Sequence, residues 1–138
     1  MHHHHIECQQ VDHYYFEADI GQHRIGMDAG SDAGGQDRGA SPKKLMLASL
    51  AGCTGIDVVS ILEKMKVSYT GFRIHIEADL TDEHPKIYNQ VRIRYEISLA
   101  EADRPKMERA VQLSMEKYCG VSAMFSHFAT VSPEIVFL

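Results

Sequence analysis

Three residues in this sequence carry side chains suited to thiol chemistry, and two of them stand where a solvent-facing helix would not put them. Cys53 and Asp57 lie inside "LMLASLAGCTGIDVVSIL", residues 45–62, a run otherwise built almost wholly from apolar and small residues. Cys119 comes later, in "EKYCGVSAMF". A cysteine attacks as the thiolate, which a nearby cation, a hydrogen-bond donor or a helix N-terminus favours and which apolar burial disfavours. Helical periodicity places Ser49, Asp57 and Ser60 near the face that carries Cys53, a narrow polar stripe on an apolar helix. Cys119 falls at a predicted junction between two helices, where free backbone N–H groups and the positive end of the following helix favour a thiolate. Against this stands plain packing, because free Cys is among the most buried residue types and a single one on an apolar helix is usually inert. Spacing alone therefore gives a candidate redox pair, with Asp57 either capping a neighbouring element or pairing with a buried base.

The elements that must position these residues follow from the hydrophobic pattern. "YYFEADIGQHRIGMD", residues 14–28, alternates around Gly21-Gln22 and predicts an antiparallel hairpin. Residues 29–41, "AGSDAGGQDRGAS", form a loop too long for a tight turn, a length common in functional loops. Ser41 followed by Pro42 predicts a helix start, a hydroxyl able to cap free N–H groups and then a proline whose φ is already helical. That helix is expected to reach about Lys66. Phe72, Ile74, Ile76, Ala78 and Leu80, and then Val91, Ile93, Tyr95, Ile97 and Leu99, each alternate with polar residues, so two half-buried strands are predicted with "TDEHPK" turning between them. Asp103, Arg104 and Pro105 open a second helix whose Met107, Val111, Met115 and Tyr118 share one inward face; a short third helix and a terminal strand, "EIVFL", follow. The grouping is α+β with an antiparallel sheet around a long, buried central helix.

Length and composition narrow the function. At 138 residues the chain is expected to make one domain. The opening "MHHHHIE" reads as a purification-tag remnant over residues 1–7, leaving 8–138 as that domain and setting aside four of the nine His; Cys8 stands beside it. With 14 basic against 19 acidic residues, a net charge of −5, a phosphate-tracking surface is not expected, so nucleic acid is excluded as a partner. Residues 45–62 approach the length of a membrane span, but Ser49, Gly52, Thr54, Gly55, Asp57 and Ser60 interrupt them, and a mid-membrane Asp is costly. A helix this apolar in a small protein is instead enclosed by other elements, a second subunit among them. No signal-peptide pattern is present, three Cys do not make a disulfide framework, and the cytoplasm is the expected compartment. His13, His23, His75, His84 and His127 show no close metal-ligand spacing with one another or with Cys, and Gly30, Gly34, Gly35 and Gly39 lack phosphate-loop spacing, so neither a metal nor a nucleotide cofactor is expected.

Together, "SPKKLMLASLAGCTGIDVVSILEKMK" and "EKYCGVSAMF" resemble the two signature blocks of the OsmC/Ohr family, in its OsmC-like branch, and the element order agrees over nearly the whole chain. The resemblance implies an intertwined homodimer in which both subunits enclose the long helices. It also implies an organic hydroperoxide as substrate, with Cys53 as peroxidatic residue, Cys119 as resolving residue and an external thiol as reductant. In the hydroperoxide-reducing members an Arg held by a Glu activates the thiol, the Glu following the Pro of the first block; here that position is Lys43. Lys43 precedes Cys53 by ten residues, about 15 Å at about 1.5 Å per residue, too far for contact within one helix. Arg38 on the loop, and after it Arg24 on the hairpin, are the candidate cations. The loss of the Glu supports a second reading, a non-catalytic dimeric protein that binds a small apolar ligand and keeps the Cys pair for regulation. A general thiol-disulfide oxidoreductase ranks third, because no C-x-x-C motif is present.

Overall fold

A computed structural model of the protein describes residues 2–138 and divides the chain into two compact units, one ending at Leu47 and the other covering Ala48–Leu138.

The first unit is a three-stranded antiparallel meander, β1 (Glu7–Asp12), β2 (Tyr15–Ile20) and β3 (His23–Met27), in the order β1-β2-β3. The expected hairpin is β2–β3, closing at Ile20 and His23; Gly21 takes φ 60° in the turn, a left-handed conformation that glycine adopts without a Cβ clash. Strand β1 was not expected. It takes in Glu7 and Cys8, and every one of its side chains is exposed, so no apolar alternation marks it in the sequence. After β3 the loop folds around Asp28, whose carboxylate accepts from the backbone N–H groups of Ala29, Gln36 and Arg38. Helix α1 (Pro42–Lys64) then starts where the Ser41-Pro42 signal put it: the Lys44 N–H donates to Ser41 Oγ at 3.5 Å and the Leu45 N–H to the Ser41 carbonyl at 3.0 Å.

In the second unit, α1 buries Leu50, Thr54, Val58 and Leu62, a strict four-residue period that makes a single stripe. The rest of the helix is less enclosed by its own chain, and Ile56 is 72% exposed. By length and composition α1 could cross a bilayer, and within the chain its buried stripe belongs to a protein core. Strands β4 (Tyr69–Leu80) and β5 (Tyr88–Leu99) pair antiparallel as the alternation predicts. Val91, Ile93, Tyr95 and Ile97 point inward, each apolar side chain contributing about 1.5–3 kcal/mol by burial, while Arg92 on the other face pairs with Asp79. Strand β6 (Thr130–Phe137) departs from the all-antiparallel expectation, lying parallel to β5. A parallel neighbour requires a crossover, and α2 (Arg104–Leu113), a π-helical turn (Ser114–Tyr118) and α3 (Gly120–Phe125) supply it.

The π turn also corrects the predicted inward face of the second helix. Met107 and Val111 are buried as expected, and so is Ser114, four residues after Ala110 on the same α-helical face. The wider turn that follows, closed by Cys119 N–H to the Ser114 carbonyl at 2.8 Å, moves the next inward position from Tyr118, 52% exposed, to Cys119, 3% exposed.

Candidate active site

Cys53 and Asp57, four residues apart on α1, flank the buried stripe, and Cys119 follows the π turn directly. The two sulfurs and an Asp57 carboxylate oxygen all lie within 4.8 Å of one another. The fold therefore brings together the two cysteines that the sequence singled out. Both are free thiols, Cys53 half-buried and Cys119 only 3% exposed, whereas Cys8 is exposed on β1.

Cys119 caps α3, its Sγ accepting from the Ser122 N–H at 3.3 Å, as a junction between helices should allow. The expected net effect does not follow. Burial pushes the Cys119 thiol up to about 11, the neighbouring Cys53 and Asp57 push the same way, and the single Ser122 N–H offsets only part of this.

A chain of buried hydroxyls ends at the same place. Ser114 Oγ donates to Asp57 Oδ2 at 3.0 Å, Thr54 Oγ1 lies 2.7 Å from Ser114 Oγ, and Tyr95 Oη lies 2.7 Å from Thr54 Oγ1. An ionised carboxylate only accepts, so Ser114 spends its proton on Asp57 and must accept from Thr54, which in turn must accept from Tyr95. All three hydroxyl-bearing residues are completely buried, and burial pushes the Tyr95 phenol up to about 12, keeping it a donor. The chain is thus directed from Tyr95 through Thr54 and Ser114 to Asp57. None of these hydroxyls was singled out in the sequence, although each is the polar member of an apolar period: Thr54 between Leu50 and Val58, Tyr95 between Ile93 and Ile97, Ser114 after Ala110 and Val111.

Asp57 also opens onto a cleft of about 340 Å³, lined by Ser60, Ile61, Lys64, Met65, Leu113 and Tyr118. Its walls are mainly apolar, with Lys64 as the charged group opposite the carboxylate in kind. The polar stripe expected on α1 holds for Cys53, Asp57 and Ser60, while Ser49 is exposed.

Both candidate cations are engaged within the first unit. Arg38 pairs with Asp12, reaches Asp28 Oδ2 at 3.4 Å and stacks over the Tyr15 ring at 4.6 Å. Arg24 pairs with Asp19 at 2.9 Å and reaches Glu17 at 4.0 Å.

The family model described as OsmC-like protein matches residues 34–134, which include both cysteines and Asp57. This chain belongs to the OsmC-like protein family. It is 29% identical over 110 residues to Protein YhfA of Escherichia coli K12, covering 80% of this chain and 79% of that protein. Its fold matches a hypothetical protein from Aquifex aeolicus VF5 with a TM-score of 0.83 and 27% identity, covering 100% of this chain and 99% of the other. The organic hydroperoxide resistance protein OhrB of Bacillus subtilis shares the fold at a TM-score of 0.64 and 16% identity, with 96% of each chain covered. The OsmC-like fold expected from the signature blocks is therefore the fold observed.

Proposed function

We propose that this OsmC-like protein is a cytoplasmic, thiol-dependent peroxidase that reduces organic hydroperoxides and is recycled by an external thiol. The observation that carries the reading is the convergence of Cys53 and Cys119 from distant parts of the chain, beside Asp57 and an apolar-walled cleft. Cys53, the more accessible thiol, is the nucleophile, and Cys119, buried behind it, is the resolving thiol. Cys53 Sγ attacks the terminal oxygen of the hydroperoxide, the O–O bond breaks, and the products are a Cys53 sulfenic acid and an alcohol. Asp57 takes the thiol proton as sulfur attacks and returns it to the departing alkoxide, held in place by the directed hydroxyl chain. Cys119 Sγ then attacks the sulfenic sulfur; hydroxide leaves with the Cys119 proton as water, and the disulfide awaits reduction by two further thiols.

The working form is a homodimer, supported by the apolar groove of about 640 Å³ along Gly52, Gly55, Ile56 and Val59 of α1 and Phe72 and Ile74 of β4, a surface that one chain leaves open. Ile56→Asp should then convert the dimer to a monomer in light-scattering measurements of mass; a monomeric wild type rules the dimer out.

Turnover of cumene hydroperoxide with dithiothreitol tests the activity. The wild-type protein should consume peroxide, Cys53→Ser should fall to the uncatalysed rate, and a sulfenic-acid probe should label Cys53 ahead of Cys8. Equal rates for wild type and Cys53→Ser would falsify the assignment and favour the non-catalytic ligand-binding reading.

A further inference from the structure

Asp57 is a half-buried carboxylate whose hydrogen-bond donor is an uncharged hydroxyl, and among the described residues no ion pair includes it. Two thiols share its small volume. Fully ionised, the three groups would gather three negative charges that no ion pair among the described residues offsets, so the cluster has the donors of a cation site. Sequence spacing carries no sign of this, because the fold assembles the two sulfurs and one oxygen from two separate segments.

We propose that the reduced protein binds one thiophilic divalent cation of the zinc class through Cys53 Sγ, Cys119 Sγ and one Asp57 carboxylate oxygen, leaving the fourth position to water. Zinc–sulfur bonds of about 2.3 Å and zinc–oxygen bonds of about 2.0–2.2 Å set tetrahedral donors about 3.6–3.8 Å apart. Donor atoms that already lie within 4.8 Å reach that spacing by small side-chain rotations. The donor types fit too: thiolates select zinc over magnesium or calcium, and three protein ligands with one open position is a familiar zinc arrangement. The support behind the first ligands is also in place. Ser114 donates to one Asp57 oxygen and is itself fixed by Thr54 and Tyr95, the kind of outer hydrogen bonding that orients a metal-binding carboxylate.

Binding forms two metal–sulfur bonds and releases two thiol protons to solvent, with no change of oxidation state. The bound ion occupies the sulfur lone pairs, and disulfide formation removes two of the three donors, so the ion is held by the reduced pair and expelled on oxidation. The site itself stands on the donor geometry; its effect on turnover rests on the peroxidase reading.

Cobalt(II) titrated into the reduced full-length chain tests the proposal. The His2–His5 run also binds cobalt, so the readout is the near-ultraviolet thiolate-to-cobalt charge-transfer band together with the strong visible bands of tetrahedral cobalt, which His alone does not give. Saturation is expected at one thiolate-bound ion per chain. The band should vanish in Cys53→Ser, in Cys119→Ser and in the hydroperoxide-oxidised wild type, a control that needs no substitution and hence no refolding. Ser114→Ala should weaken cobalt affinity about 10–100-fold. Absence of the band, or a band that persists unchanged in the two Cys variants, overturns the site. Peroxide turnover measured in chelator keeps the two readings apart: turnover without a cobalt band sinks the metal site alone, and a cobalt band without turnover sinks the peroxidase alone.

Discussion

Two sequestered carboxylates, one in each compact unit, are treated in opposite ways. Asp28 accepts from three backbone N–H groups and from the Arg38 guanidinium, and its surroundings are a loop that closes on it. Burial raises its pKa, but the Arg38, Ala29 and Gln36 N–H groups and the guanidinium more than compensate, holding the carboxyl below the usual range. Asp57 receives one neutral hydroxyl and faces two thiols. A carboxylate satisfied on every side organises backbone; one left short of donors beside nucleophiles is available to take a proton or a cation. The contrast separates scaffold from chemistry more clearly than burial does, because Asp28 is the more deeply buried of the two.

The largest effect should come from removing the charge at the under-satisfied site. Asp57→Asn keeps an oxygen for Ser114 but cannot take up the Cys53 proton, so kcat/KM for cumene hydroperoxide should fall about 10²-fold or more, within the range of a lost general base. Unchanged kinetics would place Asp57 with Asp28 as scaffold. Next comes the hydroxyl chain. Thr54→Val keeps the shape of the stripe and strands Tyr95 Oη in the core, which should cost about 1–3 kcal/mol in urea unfolding. Adding Tyr95→Phe removes the stranded donor, so the double variant should be less destabilised than the sum of the two singles, a coupling of about 0.5–3 kcal/mol. Additive losses would mean that the hydroxyls pack independently and do not act as one directed chain.

How much of this was legible in the sequence depends on the distance over which each feature is decided. The β4 and β5 alternation, the Ser41-Pro42 start of α1 and the Gly21 turn are local, and they stand where the residues put them. The α+β class follows from the element pattern, whereas the OsmC-like fold and the meeting of the cysteines are implied by the signature blocks, since nothing local states that Cys53 meets Cys119. Three things were out of reach. Strand β1 is exposed throughout and has no period; β6 runs parallel because of a crossover; and the π turn, one residue wider than an α turn, puts Cys119 in place of Tyr118 on the inward face. The hydroxyl chain joins residues 41, 57 and 60 positions apart, so a polar residue inside each apolar period was its only trace.

The smallest effect, and the one that most directly sharpens the contrast, concerns Asp28. Its folded-state pKa lies below the usual 3.8, so the charged form is the one the loop stabilises. That contribution is complete above the unfolded value and disappears as pH falls through the depressed folded value. In an NMR titration the Ala29, Gln36 and Arg38 amide resonances should therefore move together on one curve whose midpoint lies below 3.8. Asp28→Asn should speed hydrogen exchange at those three amides, and Asp57→Asn should leave them as they are. If their common midpoint lies at or above 3.8, the N–H cradle does not hold the charge, and the difference between the two carboxylates reduces to their neighbours' identity alone.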